Sequence, residues 1–188
     1  AIGTNNGKIE MIDLANMKKL PVINPHASAV NSIRFCQGNP ELYMTCSNDS
    51  HACVFKTNQR KPLYKFTDHQ GPVYAIAFSP DQNFVATGGE DRTIRIYDLR
   101  TGRLYRSICG HLDSILSLDF HPAEPFIISG GTDRAIHFYN YRDNALVQTS
   151  FPMSPSPVEA VLFVDSTRAG ISISSQTMTV VGFEPSQV

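Results

Sequence analysis

Apolar and polar residues alternate along this chain in short runs, each closed by a cluster of turn-forming residues. Residues 73–78 (Val-Tyr-Ala-Ile-Ala-Phe) are largely apolar and stop at Ser79-Pro80-Asp81. Residues 84–88 (Phe-Val-Ala-Thr-Gly) run into Gly89-Glu90-Asp91-Arg92, a hairpin turn by composition. From Thr93 to Tyr97, Ile94 and Ile96 alternate with Thr93 and Arg95. After Asp98 to Gly102, another turn, Leu104 to Ile108 alternates again. No segment in this stretch sustains helical spacing over ten or more residues. The pattern predicts a four-stranded antiparallel sheet with two largely apolar inner strands and a more polar outer one.

That unit recurs. His26-Ala-Ser-Ala-Val30-Asn-Ser-Ile33-Arg-Phe35, His69-Gln-Gly-Pro-Val73-Tyr-Ala-Ile76-Ala-Phe78 and His111-Leu-Asp-Ser-Ile115-Leu-Ser-Leu118-Asp-Phe120 align, and Pro157-Val158-Glu-Ala-Val161-Leu-Phe163 follows without the His. The anchors Val30, Val73, Ile115 and Val158 are 43, 42 and 43 residues apart. Asp49, Asp91 and Asp133 keep the same register at 42 and 42, with Gln176 in the acid's place 43 residues on. A sheet of this kind cannot bury both faces alone; radial stacking of copies covers them and leaves short edges, which defines a β-propeller. The expected organisation is a partial blade over 1–24, then blades over 25–67, 68–109, 110–152 and 153–188.

These residues resemble the WD40 repeat, a blade of about 40–45 residues with a Gly-His start and a Trp-Asp end. Gly110-His111 matches the start; the endings here are Ile12-Asp13, Phe55-Lys56, Tyr97-Asp98 and Tyr139-Asn140, and the chain has no Trp. The resemblance implies an all-β WD40 propeller of four to four and a half blades. A seven-bladed ring needs roughly 300 residues at this period, so the chain is expected to be part of a larger six- or seven-bladed ring. It also implies a buried relay of His, Ser/Thr, Asp and Trp in each blade. This maps onto His26, Thr45, Asp49 and Phe55; onto His69, Thr87, Asp91 and Tyr97; and onto His111, Ser129, Asp133 and Tyr139. Tyr lacks the indole donor and Phe55 has no polar atom, so the relay is expected to be weakest in the first full blade and missing at Gln176. A narrower resemblance, carried by Pro157 to Phe163 and Val181-Gly182-Phe183-Glu184-Pro185, is to the final repeat of katanin regulatory subunits. It implies a partner that is a severing ATPase subunit or a microtubule, and a cytoplasmic, cytoskeletal placement at microtubules, centrosomes or cilia.

Composition narrows the chemistry. Sixteen Lys+Arg against seventeen Asp+Glu leave a formal net charge of -1, which argues against a dedicated nucleic-acid binder. No apolar run approaches the roughly 18 residues of a membrane span, so no membrane partner is expected. Cys36, Cys46, Cys53 and Cys109 show no metal-ligand rhythm and are expected to be buried thiols in a reducing compartment. His26, His69 and His111 recur once per blade and so fall in different sheets, while His51, His121 and His137 have no ligand partner at close spacing; no metal site is expected. Gly88-Gly89 and Gly130-Gly131 lack the Lys-Ser/Thr of a phosphate loop and read as turn glycines. With no nucleophile elbow either, neither catalysis nor a cofactor is expected.

Binding remains. Propeller loops are held on rigid strands and lose little entropy on association. The WD40 resemblance places the commonly used face at the loops entering each blade's first strand, here Ala29, Gln70, Tyr74, Leu112, Asp113, Leu116 and Glu159, with Tyr74 as the anchor. Arg92, Arg95, Arg100, Arg103 and Arg106 make the second full blade locally basic, and Arg100 and Arg103 are candidates for an acidic partner if the group shares one rim. The function class that results is a non-catalytic protein-interaction scaffold working within a larger complex. Within it stand a katanin-like targeting domain, a generic WD40 adaptor such as a ubiquitin-ligase substrate receptor or RNA-processing subunit, and a structural axonemal or coat component.

Overall fold

The computed structural model describes residues 1–143, 145–150, 154–164, 169–175 and 177–182, with only backbone pairing for 145–150. Among them there are strands and turns and no helix, hence none long and apolar enough to cross a membrane. Strands β1 (Ile2–Gly3) and β2 (Ile9–Glu10) pair, as do β3 (Ile12–Asp13) and β4 (Lys18–Lys19). Met11 separates the two pairs. Three four-stranded antiparallel sheets follow. The first holds β5 (Val30–Cys36), β6 (Asn39–Ser47), β7 (Ala52–Lys56) and β8 (Tyr64–Phe66). The second holds β9 (Val73–Phe78), β10 (Phe84–Gly89), β11 (Thr93–Asp98) and β12 (Arg103–Cys109). The third holds β13 (Ile115–Phe120), β14 (Phe126–Gly131), β15 (Ile136–Asn140) and β16 (Ala145–Ser150). Last comes a three-stranded sheet of β17 (Val158–Phe163), β18 (Ala169–Ser174) and β19 (Met178–Gly182).

The core lies between these sheets. Ala75, Ala77, Ala86, Ile94 and Ile96 of the second sheet share one buried cluster with Ile115, Leu118, Phe120 and Ile127 of the third. Met44, Cys46, Val54 and Phe66 pack likewise on Val73, Ile76, Val85 and Tyr97, and Phe126, Ile128 and Phe138 on Val158, Val161 and Phe163. Ile9, Met11 and Ile23 begin the series against Tyr43, Cys53 and Phe55. A sheet whose two faces are covered by different neighbours is a propeller blade, and the outer strand β12 is largely exposed while β9, β10 and β11 are buried.

Side chains also tie first strands across blade boundaries. Asn31 Nδ2 donates to the Val73 carbonyl (2.8 Å), the Val161 N–H to Ser117 Oγ (3.0 Å), and the Phe163 N–H to Asp119 Oδ2 (2.9 Å). The paired glycines belong to this packing. Gly88 and Gly130 lie inside β10 and β14, not in the turns expected for them. A Cβ on Gly88 would come within 2.8 Å of Ile115 Cγ2, and one on Gly130 would overlap Val158 Cγ1 in the next blade. Three cysteines are buried as expected; Cys109, near the end of exposed β12, is not.

Candidate functional site

Each four-stranded sheet carries the same three-residue contact at one end. His26 Nε2 lies 2.8 Å from Thr45 Oγ1 and its Nδ1 3.0 Å from Asp49 Oδ2. His69 repeats this with Thr87 (2.7 Å) and Asp91 (3.0 Å), and His111 with Ser129 (2.7 Å) and Asp133 (2.8 Å). Only a hydrogen on Nδ1 can bond a carboxylate, which fixes the tautomer: Nδ1 donates to Asp, and the neutral ring's Nε2 accepts from the hydroxyl. The aspartate sits before a residue in left-handed backbone, Ser50, Arg92 or Arg134 (φ 69°, 62° and 64°). It also accepts the N–H two residues on, from His51, Thr93 or Ala135 (3.0, 3.3 and 3.1 Å). Its other contact pins the turn after the histidine, through the N–H of Ala27, Gln70 or Leu112 (2.9, 3.1 and 2.9 Å).

Burial alone would raise the Asp133 carboxyl, but the hydrogen bond from His111 and those from two backbone N–H groups outweigh it and bring it down to about 2. Asp91 is also partly buried, yet His69, Arg95 and Gln70 N–H hold it well below the usual carboxylate range. Its extra partner, Arg95 Nη1, lies 2.6 Å from Asp91 Oδ2.

The aromatic position departs from the expected relay. Phe55 is fully buried, stacked on Tyr43, and adds no polar contact, yet its blade's His–Thr–Asp distances match the others. Tyr97 gives its one proton to Asp68 Oδ2 (3.0 Å), a carboxylate outside the triad. Tyr139's hydroxyl is buried with no hydrogen-bond partner among the described residues. Gln176, the acid's replacement in the last blade, lies outside the described residues, as do Phe183, Glu184 and Pro185.

The topology places the remaining candidates. Ala29, Gln70, Leu112 and Asp113 stand in the turns between relay His and first strand; Tyr74, Leu116 and Glu159 are second residues of β9, β13 and β17. All therefore share the relay end of the blades. Gln70, Leu112, Asp113 and Glu159 are exposed, while Ala29, Tyr74 and Leu116 are half-buried. Burial and the Glu90 carboxylate beside it push the Tyr74 hydroxyl up.

The five arginines do not form one patch. Arg92 precedes β11 at the relay end, whereas Arg100 and Arg103 lie beyond its far end, where Asp98 pairs with Arg103 across β12. Six residues at about 3.3 Å each separate the two groups by roughly 20 Å. Arg95 points into the relay, and Arg106 is half-buried, lies over the Tyr105 ring and donates to the Arg142 carbonyl (3.0 Å). His137 is likewise not isolated: its ring centroid is 4.2 Å from that of His111 in the same blade. The signal was present, because His137 stands 42 residues after Arg95 in the repeat.

Blades of four antiparallel strands, packed face to face and each closed by a His–Ser/Thr–Asp contact, define a repeat propeller. The chain belongs to the WD40 family: the family described as WD domain, G-beta repeat matches residues 17–56, 60–98 and 102–140. Each match ends with the third strand of a sheet, so the repeat in sequence starts one strand ahead of the blade. The chain is 34% identical over 95 residues to transcription initiation factor TFIID subunit 5 of Caenorhabditis elegans, covering 50% of this chain and 14% of the relative. It is 36% identical over 78 residues to a guanine nucleotide-binding protein subunit beta of Nicotiana plumbaginifolia, 41% and 21% of the two chains. A third relative, eukaryotic translation initiation factor 3 subunit I of Pyricularia oryzae, is 29% identical over 84 residues, 44% and 24%. The matches thus span a quarter or less of these relatives.

Proposed function

We propose that this chain is a non-catalytic protein-interaction scaffold that binds its partner at the relay end of the blades. One observation carries the reading: Leu112 is 79% exposed while its own N–H is held 2.9 Å from a buried Asp133 oxygen. A large apolar side chain fixed in solvent by a rigid turn costs little further ordering on association. Gln70 occupies the matching turn of the preceding blade, held the same way, and Tyr74 lies close by with an aromatic face of the kind that anchors interfaces. The relatives named as subunits of larger assemblies fit a role inside a complex.

Within that reading, a katanin-like role in placing a severing ATPase on microtubules, and with it a cytoskeletal location, rests on the 157–163 and 181–185 resemblance alone. An adaptor in another assembly rests on the wider WD40 kinship. Microtubule co-sedimentation of the purified chain separates the two: pelleting with microtubules supports the first, and a chain left in the supernatant removes it. Nucleotide hydrolysis by the purified chain would contradict both.

A further inference from the structure

We infer that His111, Asp133 and His137 form a site for a divalent transition-metal ion, with Zn2+ as the fitting probe. One ligand atom from each lies within 4.8 Å of the others, and all three belong to one blade. Both imidazoles are buried, and the Asp133 side chain is only 5% exposed. Two imidazoles and a carboxylate are the ligand set of three-coordinate protein zinc sites, which leave a fourth position for water. Tetrahedral ligands about 2.1 Å from a common ion stand roughly 3.4 Å apart, so closure opens the 2.8 Å His111–Asp133 contact and draws His137 in by about an ångström.

The neighbouring blade supplies the independent argument. There the position of His137 is taken by Arg95, whose Nη1 lies 2.6 Å from Asp91 Oδ2 and 2.7 Å from His69 Nδ1. A positive charge therefore already occupies the angle between relay imidazole and relay carboxylate in the second full blade. In the third, no Lys or Arg pairs with Asp133 among the described residues. An imidazole borders that angle instead. Its ring lies against that of His111, with centroids 4.2 Å apart. Binding puts the ion at His111 Nδ1 in place of the proton shared with Asp133, and the ring takes its other tautomer: the proton moves to Nε2, which then donates to Ser129 Oγ, and no net proton is released.

The test titrates the chelator-stripped full chain with ZnCl2 alone and follows the heat of binding and the thermal midpoint. Co2+ then serves as a spectroscopic stand-in. The expected result is one equivalent bound, a midpoint that rises with ZnCl2 and falls back with EDTA, and visible bands of low-symmetry four-coordinate Co2+. His137→Arg, which copies the second blade, should fold and weaken Zn2+ binding at least about tenfold, as should His137→Asn, which keeps polarity without an imidazole. No binding by the wild type, or undiminished binding by whichever of these variants gives a cooperative melt, would overturn the assignment.

Discussion

Tyr97 and Asp68 are joined by a 3.0 Å hydrogen bond that stands outside the His69–Thr87–Asp91 contact. The tyrosine hydroxyl reaches an exposed carboxylate just before the relay histidine, so it clips the incoming turn to the third strand. The matching Tyr139 has no such partner among the described residues, because Gly110, which has no side chain, stands where Asp68 does. Removing the two hydroxyls should therefore have different effects. Tyr97→Phe is expected to lose about 0.5–1.5 kcal/mol, whereas Tyr139→Phe should be neutral or slightly stabilising, since it removes an unsatisfied buried hydroxyl. Denaturant unfolding of the two variants beside the wild type checks this ordering.

Asp91 accepts hydrogen bonds from His69, Arg95 and the N–H groups of Gln70 and Thr93. Asp91→Ala leaves those donors unpaired and should cost about 1–3 kcal/mol, more if the Arg95 charge stays buried. Glu41→Ala, at an exposed position, should stay within about 0.5 kcal/mol. Asp81 would be a poor control, since Ser79 Oγ and both Asn83 nitrogens donate to it. Thermal melts distinguish the two substitutions.

The same carboxylate sets an acid limb. Its folded pKa lies below its unfolded value, so the unfolded chain binds more protons and stability rises with pH across that gap. The contribution is fully present above about pH 4 and fades as pH falls below it. Asp91→Asn should flatten the loss of stability below pH 4, read as thermal midpoint against pH. An unchanged acid limb would remove Asp91 from this role.

Blade-to-blade packing makes Gly130 sensitive. An added methyl meets the β-branched side chain of Val158, which has little freedom to move, and overpacking of this kind typically costs about 1–3 kcal/mol. Gly130→Ala should fall in that range. The double change with Val158→Ala should recover part of the loss, and chemical denaturation of the set reports that coupling.

Much of the architecture was legible because two markers, the alternating apolar anchor and the turn aspartate, repeat in one register; the His–Ser/Thr–Asp contacts came through the family likeness. What escaped depends on neighbours that a repeat does not record. Gly88 and Gly130 precede turn acids in sequence, and only the next blade's Ile115 and Val158 reveal why no side chain fits. The arginines from Arg92 to Arg106 look clustered along the chain, but a strand of six residues carries Arg92 and Arg100 to opposite ends. The partner of Tyr97 was hidden because Asp68 is a side chain at a position the motif gives to glycine. His137 read as isolated because closeness was sought along the sequence, while the sheet brings it beside a histidine 26 residues earlier.

The most direct test of the scaffold reading compares two double variants of the tagged chain by quantitative affinity purification, after matched thermal melts show both to be folded. Tyr74→Ala with Leu112→Asp alters the relay end; Arg100→Glu with Arg103→Glu alters the opposite end. A partner recovered by wild type should drop at least about tenfold with the first pair and be retained by the second. Full retention by the first pair, or loss only with the second, would contradict the relay end as the binding face.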